Sequence, residues 1–209
     1  MGNHPQLTLD RLACERGGQL LFEEVDLSLG MGQWLRVLGP NGAGKTSLLR
    51  LIVGLMRPLK GRVLWRGQPV NEQREAFGRD LFFLGHAPAV KDDLDPVDNL
   101  LSASALAGHP ASRAQAMQAL GEAGMAGYER VPVRRLSQGQ RRRCSLARLS
   151  LARTAPLWVL DEPWSALDAD GARWLNGLLR QHLNGGGLAV LTSHLDMALD
   201  DLPHQELSL

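Results

Sequence analysis

Two cysteines in 209 residues, Cys14 and Cys144, are too few for a disulfide framework and lack the spacing of a metal-binding pair. Their scarcity points to a reducing compartment, and a chain of this length buries enough apolar surface to fold without covalent staples. Long hydrophobic runs are missing as well. Stretches such as 51–56 fall far short of the ~20 residues that a membrane helix needs. The opening MGNHPQLTLD has neither a basic start nor an apolar segment, so no secretory leader is expected. Charge of one sign is lacking too: 23 Lys+Arg against 22 Asp+Glu leave a formal net charge of +1. Such a surface has no field to gather a polyanion, which disfavours DNA or RNA as the principal substrate. Aromatics make up 5% of the chain, and the five tryptophans have no spacing that suggests a stacking platform or a haem pocket. They are expected in the core or at an interface, and direct haem binding is not expected.

What is present is a change of period along the chain. Alternation over 7–12 and a second extended stretch over 20–29, separated by Gly17 and Gly18, predict a β-structured opening. The run WLRVL at 34–38 predicts a buried strand. From Lys45 onward Leu48, Leu49, Ile52 and Val53 share one helical face, and Gly54 with Pro58 closes that helix. Residues 61–70 read as a strand broken by a turn at Gly67, and 80–85 as another strand. Composition then turns Ala-, Leu- and Arg-rich, with helical spacing over 98–107, 111–123 and 140–152. A strand at 157–160, a helix over 169–183, a triple-glycine turn and a strand at 188–192 follow. The organisation predicted is one α/β domain over 1–209. Its core comes from about 1–85 and 154–209, and about 86–153 form an inserted helical lobe.

Gly39-Pro40-Asn41-Gly42-Ala43-Gly44-Lys45-Thr46, followed by Ser47, fits the phosphate-loop pattern in its strand-to-helix setting. Glycines let successive amides wrap phosphate oxygens, and the helix start adds its positive end. Lys45 would supply a point charge to the β- and γ-phosphates, and the Thr46 hydroxyl a ligand for Mg²⁺. The apolar strand at 157–160 ends in Asp161 and Glu162, and a carboxylate at the carboxyl end of a parallel strand lies where open α/β sheets bind ligands. Asp161 would hold Mg²⁺, and Glu162 would orient or deprotonate the attacking water. These two elements leave many nucleotide enzymes open.

Leu136-Ser137-Gln138-Gly139-Gln140, just before an Arg-rich helix, narrows them. With this element the chain resembles the ATP-binding cassette (ABC) ATPases, whose signature is LSxGQ, and the resemblance runs from about Leu7 to about Asp196. It implies a P-loop NTPase fold of the ABC type with a β-rich N-terminal subdomain and an inserted helical lobe, and ATP with Mg²⁺ as cofactors. It implies a head-to-tail dimer with a second copy, in which Ser137, Gly139 and Gln140 complete the partner's ATP site. Asp168, in the run Ser165-Ala166-Leu167-Asp168, matches the family's dimer-contact loop. His194, after the strand LAVLTS, matches its switch histidine, giving Lys45, Glu162 and His194 as the catalytic set.

Two positions depart from the family pattern. Arg16 stands where relatives place an aromatic residue on adenine, and it is either a stacking guanidinium or a solvated turn residue. His86 stands in place of a metal-contacting glutamine, and an imidazole lacks the amide's paired donor and acceptor. With the run WVLDEPWSALD, these make the chain most similar to the cytochrome c maturation branch of the family, which supplies the ATP-binding subunit of a haem exporter. That resemblance implies a peripheral subunit on the cytoplasmic side of the bacterial inner membrane with integral membrane subunits as partners. ATP hydrolysis there serves haem export or release of a haem-loaded chaperone. An ATPase of another ABC exporter, or a soluble non-transport ABC ATPase, is the alternative. The cluster Arg134, Arg135, Arg141, Arg142 and Arg143 reads first as a solvated helix face, second as a contribution to the field around ATP and last as a nucleic-acid contact.

Overall fold

A computed structural model describes residues 6–108, 110–193 and 199–209. Two sheets organise it. Strands β1 (Leu7–Arg16), β2 (Gln19–Leu29), β4 (Lys60–Trp65) and β5 (Gln68–Pro69) form an antiparallel sheet in the order β2-β1-β4-β5. Strands β3 (Trp34–Leu38), β6 (Leu81–Leu84), β7 (Leu157–Leu160), β8 (Leu188–Thr192) and β9 (His204–Ser208) form a parallel sheet in the order β6-β7-β8-β3-β9. The two central strands β7 and β8 are buried at every residue, which is why they read as apolar runs without alternation.

Successive residues of these strands feed opposite cores. Val159 and Val190 join Leu9, Val25, Leu48 and Ile52 between the antiparallel sheet, helix α1 (Lys45–Ile52) and the parallel sheet. Their neighbours Trp158, Leu160 and Leu191 join Trp34, Leu175 and Leu179 on the other face, beneath helix α7 (Ala169–Asn184). Four more helices, α3 (Pro96–Leu106), α4 (Arg113–Glu122), α5 (Gln138–Leu146) and α6 (Arg148–Leu151), stand between β6 and β7 in sequence. They enclose a third core that includes Leu100, Leu120, Met125 and Cys144. Burial there pushes the Cys144 thiol up to about 12, so it behaves as a small apolar group.

Local chemistry sets the helix starts. Asp95 caps α3 by accepting from the Asp98 amide at 2.8 Å, with Pro96 in the first turn where no amide is needed. Ser112 and Gln115 make a reciprocal capping box on α4. Three features differ from the expectations above. Helix α2 (Arg74–Asp80) buries only Phe77, so it carries no readable period, and β9 mixes polar and apolar residues at the sheet edge. The helix expected over 140–152 is divided by a turn at Ala147, where the segment is shared between two cores. Cys144 and Ala147 face the lobe, while Leu146 and Leu149 face the parallel sheet.

His182 of α7 lies flat on Trp158, with ring centroids 3.9 Å apart, and its Nε2 is 3.0 Å from the Leu188 carbonyl. Burial lowers its pKa below 6.5, against the raising effect of the Leu188 and Pro156 carbonyls. The fold therefore favours the neutral ring. The unfolded chain takes up the proton first, so this stability is complete above about pH 6.5 and is lost as pH falls below it. Urea unfolding at pH 7.5 and 5.5 should show a smaller loss of stability on acidification in His182→Asn than in the parent. Equal losses would remove His182 as the source.

Candidate functional site

Strands β3 and β7 flank β8, so the loop after β3 and the turn after β7 emerge at one edge of the parallel sheet. A cavity of about 460 Å³ opens there. Pro40, Asn41, Gly42, Gly44, Lys45, Thr46 and Ser47 line one wall, and Asp161, Glu162 and Ser165 another. Arg16, Leu21 and His86 complete it.

Two glycines are set by geometry. Gly44 has φ +106° and an added Cβ would lie 3.2 Å from the Phe22 ring. Gly39 has φ +141° and a Cβ there would lie 2.8 Å from the Leu209 carbonyl. Gly44 gives α1 no side-chain cap, which leaves first-turn amides to meet an anion. The loop closes through the Ala43 amide, which donates to the Pro40 carbonyl at 3.2 Å. Lys45, largely buried, turns its ammonium back onto the loop, donating to the Gly39 carbonyl at 2.6 Å and the Pro40 carbonyl at 3.2 Å.

The two walls are joined through Asp161, which is 2% exposed. Thr46 Oγ1 donates to its Oδ2 at 2.8 Å, and Thr192 Oγ1 donates to its Oδ1 at 2.7 Å. The Glu162 amide in turn donates to Thr192 Oγ1 at 2.8 Å. The donor set is hard oxygen, the chemistry of Mg²⁺ rather than of a soft metal. Among the described residues no group of three or more His, Cys, Asp or Glu forms a metal cage.

Glu162 has φ +49°, a left-handed conformation costing a non-glycine residue about 1–2 kcal/mol. Arg142 secures it. Its guanidinium donates through Nη2 to the Asp161 carbonyl at 2.9 Å and the Glu162 carbonyl at 2.6 Å. Nε reaches the Pro163 carbonyl and Nη1 the His86 carbonyl, both at 3.4 Å. Burial lowers the Arg142 pKa, opposed by the negative charges of Asp161 and Glu162.

Arg134 and Arg135 of the basic cluster are exposed as expected, but Arg141, Arg142 and Arg143 do not form a solvated face. Arg142 is 3% exposed, Arg143 pairs with Asp168 and donates to the Ala123 carbonyl at 2.8 Å, and Arg141 pairs with Asp92 at 2.8 Å. Composition does not set the burial of these arginines; their tertiary partners do. Helical spacing carried a signal, since Arg142 shares a face with Ser145, Leu146 and Leu149, all buried. Thr192 joins the site without belonging to any of the motifs, and its signal in the sequence is a hydroxyl closing an apolar strand next to the acidic one.

Not all expected site residues meet at the cavity. Ser137, Gly139 and Gln140 open α5 away from it. The Gln140 amide donates to Ser137 Oγ at 3.2 Å and the Ser137 amide to Gln140 Oε1 at 2.9 Å, a capping box with Ser137 exposed. Asp168 caps α7 by accepting from the Gly171 amide at 2.9 Å. That amide and Arg143 hold its carboxyl below the usual carboxylate range. His194 lies outside the described residues.

The model of the ABC transporter family matches residues 22–165. A cytochrome c biogenesis ATP-binding export protein (CcmA) from Albidiferax ferrireducens is 45% identical over 205 residues, covering 98% of this chain and 97% of its own. The protein of the same name from Pseudomonas aeruginosa is 48% identical over 188 residues, covering 90% and 92%. Among solved structures, an ABC transporter ATP-binding protein from Pyrococcus furiosus superposes with a TM-score of 0.80 at 25% identity over 96% of each chain.

Thr192→Val keeps the side-chain volume but removes both hydrogen bonds. With two buried polar groups left short of a partner, unfolding in urea should require about 2–4 kcal/mol less than in the parent. An unchanged midpoint would show that Asp161 and the Glu162 amide find other partners.

Proposed function

The chain belongs to the ABC transporter ATP-binding family, and from that premise we propose that it is the ATP-hydrolysing subunit of an inner-membrane complex serving cytochrome c biogenesis. The step it powers is haem export or release of a haem-loaded chaperone. The observation that carries the reading is the hydrogen-bonded chain from Thr46 through Asp161 and Thr192 to Glu162, which aligns a phosphate loop with a candidate base at one cavity.

The phosphates of ATP enter the loop, and Lys45 exchanges the Gly39 and Pro40 carbonyls for β- and γ-phosphate oxygens. First-turn amides of α1 donate to the same oxygens. Thr46 and Asp161 are the residues that would hold Mg²⁺, which supplies charge neutralisation on the β- and γ-phosphates. Glu162 orients the attacking water and takes its proton as the γ-phosphoryl group transfers in line. His194 belongs to the same catalytic set. Arg16 and Leu21 stand on the cavity wall where the purine would rest, and the guanidinium of Arg16 suits a base face. His86 borders the cavity and is a third candidate for contact with the ion.

Ser137, Gly139 and Gln140 serve a second copy. The exposed Ser137 hydroxyl and the start of α5 offer positive potential to a phosphate that this chain's own loop does not hold. A head-to-tail dimer therefore closes on two ATP molecules, with Asp168 at the contact. Among the described residues no helix is long and apolar enough to cross a membrane. Separate membrane-spanning subunits, docking near residues 86–99, hold this subunit peripherally on the cytoplasmic side.

Two measurements test this. Glu162→Gln should bind ATP as the parent does, turn over at least ~100-fold more slowly, and elute as an ATP-dependent dimer; parental turnover would remove Glu162 as the base. Lys45→Ala and Ser137→Arg should each be inactive alone. Mixed together they should regain activity, because a heterodimer gathers both defects in one site and leaves the other intact. No recovery on mixing, with heterodimers present, would rule out shared sites.

A further inference from the structure

We propose that Arg142 is a positioning residue for hydrolysis, holding the left-handed Glu162 peptide and tying it to the helix that carries Ser137. The inference deepens the reading of Glu162 as the base and rests on it.

Three successive carbonyls, those of Asp161, Glu162 and Pro163, turn toward one point because Glu162 has positive φ. A planar guanidinium spreads its donors over three nitrogens and so spans several separated acceptors, which a compact ammonium cannot reach together and an apolar side chain cannot answer at all. Space filling alone would call for an apolar residue, since burying a cation is costly. Here the hydrogen-bond partners of the buried cation are backbone carbonyls of the catalytic turn and of His86, so its donors go to the backbone rather than to a carboxylate. If the guanidinium is withdrawn, the Glu162 carbonyl is left with the Ser165 amide at 3.1 Å and the Asp161 and Pro163 carbonyls lose this donor, so the Glu162 peptide is freer to relax toward negative φ. Relaxation would swing the carboxylate away from its place on the cavity wall.

Arg142 also lies on α5, two residues after the capping box formed by Ser137 and Gln140. Its neighbour Arg143 binds Asp168 at the start of α7, beyond the same turn. A third contact closes the joint, because a Cβ on Gly139 would come within 2.9 Å of the Ala166 carbonyl. The helix that meets the second copy's nucleotide is thus fastened at three points to the turn that aims this chain's own base. A shift of α5 on meeting that phosphate moves the Glu162 carbonyl through Arg142, which links closure at one site to base alignment at the other.

The test compares steady-state ATP hydrolysis by the full chain carrying Arg142→Lys, Arg142→Ala, Glu162→Gln, and Arg142→Lys with Glu162→Gln. Arg142→Lys keeps a buried cation but not the fork. It should lower kcat roughly 10- to 100-fold with KM for ATP within about threefold of the parent. Guanidinium ion, added below denaturing concentrations, should restore part of the lost kcat in Arg142→Ala and none in Arg142→Lys. In the Glu162→Gln background Arg142→Lys should cost little further turnover, because both changes act on the same group. Parental kcat in Arg142→Lys, a rise in KM alone, or a full additional loss in the double variant would each overturn the proposal. Should Arg142→Ala not fold, the Lys variant and the double variant still decide. Turnover that survives Glu162→Gln would instead overturn the assignment of the base, a failure distinct from a stalled Glu162→Gln beside a normal Arg142→Lys.

Discussion

The buried carboxylate of Asp161, with a threonine hydroxyl on each oxygen, is the joint on which the site depends. It couples the helix after β3 to the turn after β7 through the end of β8, so three strands that are distant in sequence share one hydrogen-bonded unit. Parallel order makes this possible. Only strands running the same way, buried on both faces, deliver a phosphate loop, an acidic turn and a threonine to one edge. Packing holds the strands in register, and the register holds the polar chain. The apolar residues on both faces of β7 and β8 are thereby part of the chemistry at their ends.

How much of this was legible in the sequence follows from where the information resides. The phosphate loop is local: its glycines, lysine and threonine lie within one turn of chain, and together they line one wall of the cavity. The acidic strand is local in the same sense. Thr192 and Arg142 escaped because their importance is tertiary. A threonine ending a strand is unremarkable until a second strand brings Asp161 beside it, and an arginine among arginines reads as solvent-facing until its carbonyl partners appear. Helix α2 and strand β9 escaped for want of a period, and the turn at Ala147 because two cores share that segment.

The separation of the signature element from the cavity has a physical consequence. Ser137 and Gln140 satisfy each other in a capping box, and Asp168 is satisfied by Gly171 and Arg143, so neither group requires a nucleotide for its own stability. They form preorganised surfaces rather than strained ones, and a phosphate brought by another molecule meets a finished helix end. In the dimer proposed above, a site divided in this way would suit a reaction gated by association, because the cavity of one chain would hold its loop and base while the opposing charge arrived only on closure. Near-neutral net charge fits too, because two like copies approach without strong mutual repulsion.

Strain in this molecule is concentrated accordingly. Of the described non-glycine residues with positive φ, Arg11, Glu24 and Arg66 are exposed and belong to the antiparallel sheet or its adjoining turns. There a bulge or tight turn accounts for the backbone and nothing further is asked of it. Glu162 and Ala166 instead fall in a single turn between β7 and α7, against the parallel sheet and α5. A left-handed residue persists only where its surroundings over-determine it, and Glu162 is held from both sides, its amide by Thr192 and its carbonyl by Arg142. A hydroxyl from the sheet and a guanidinium from the helical lobe thus converge on one peptide. The conformation of that peptide is set jointly by the parallel-sheet core and by the helical lobe, which in the proposed dimer would face a second copy.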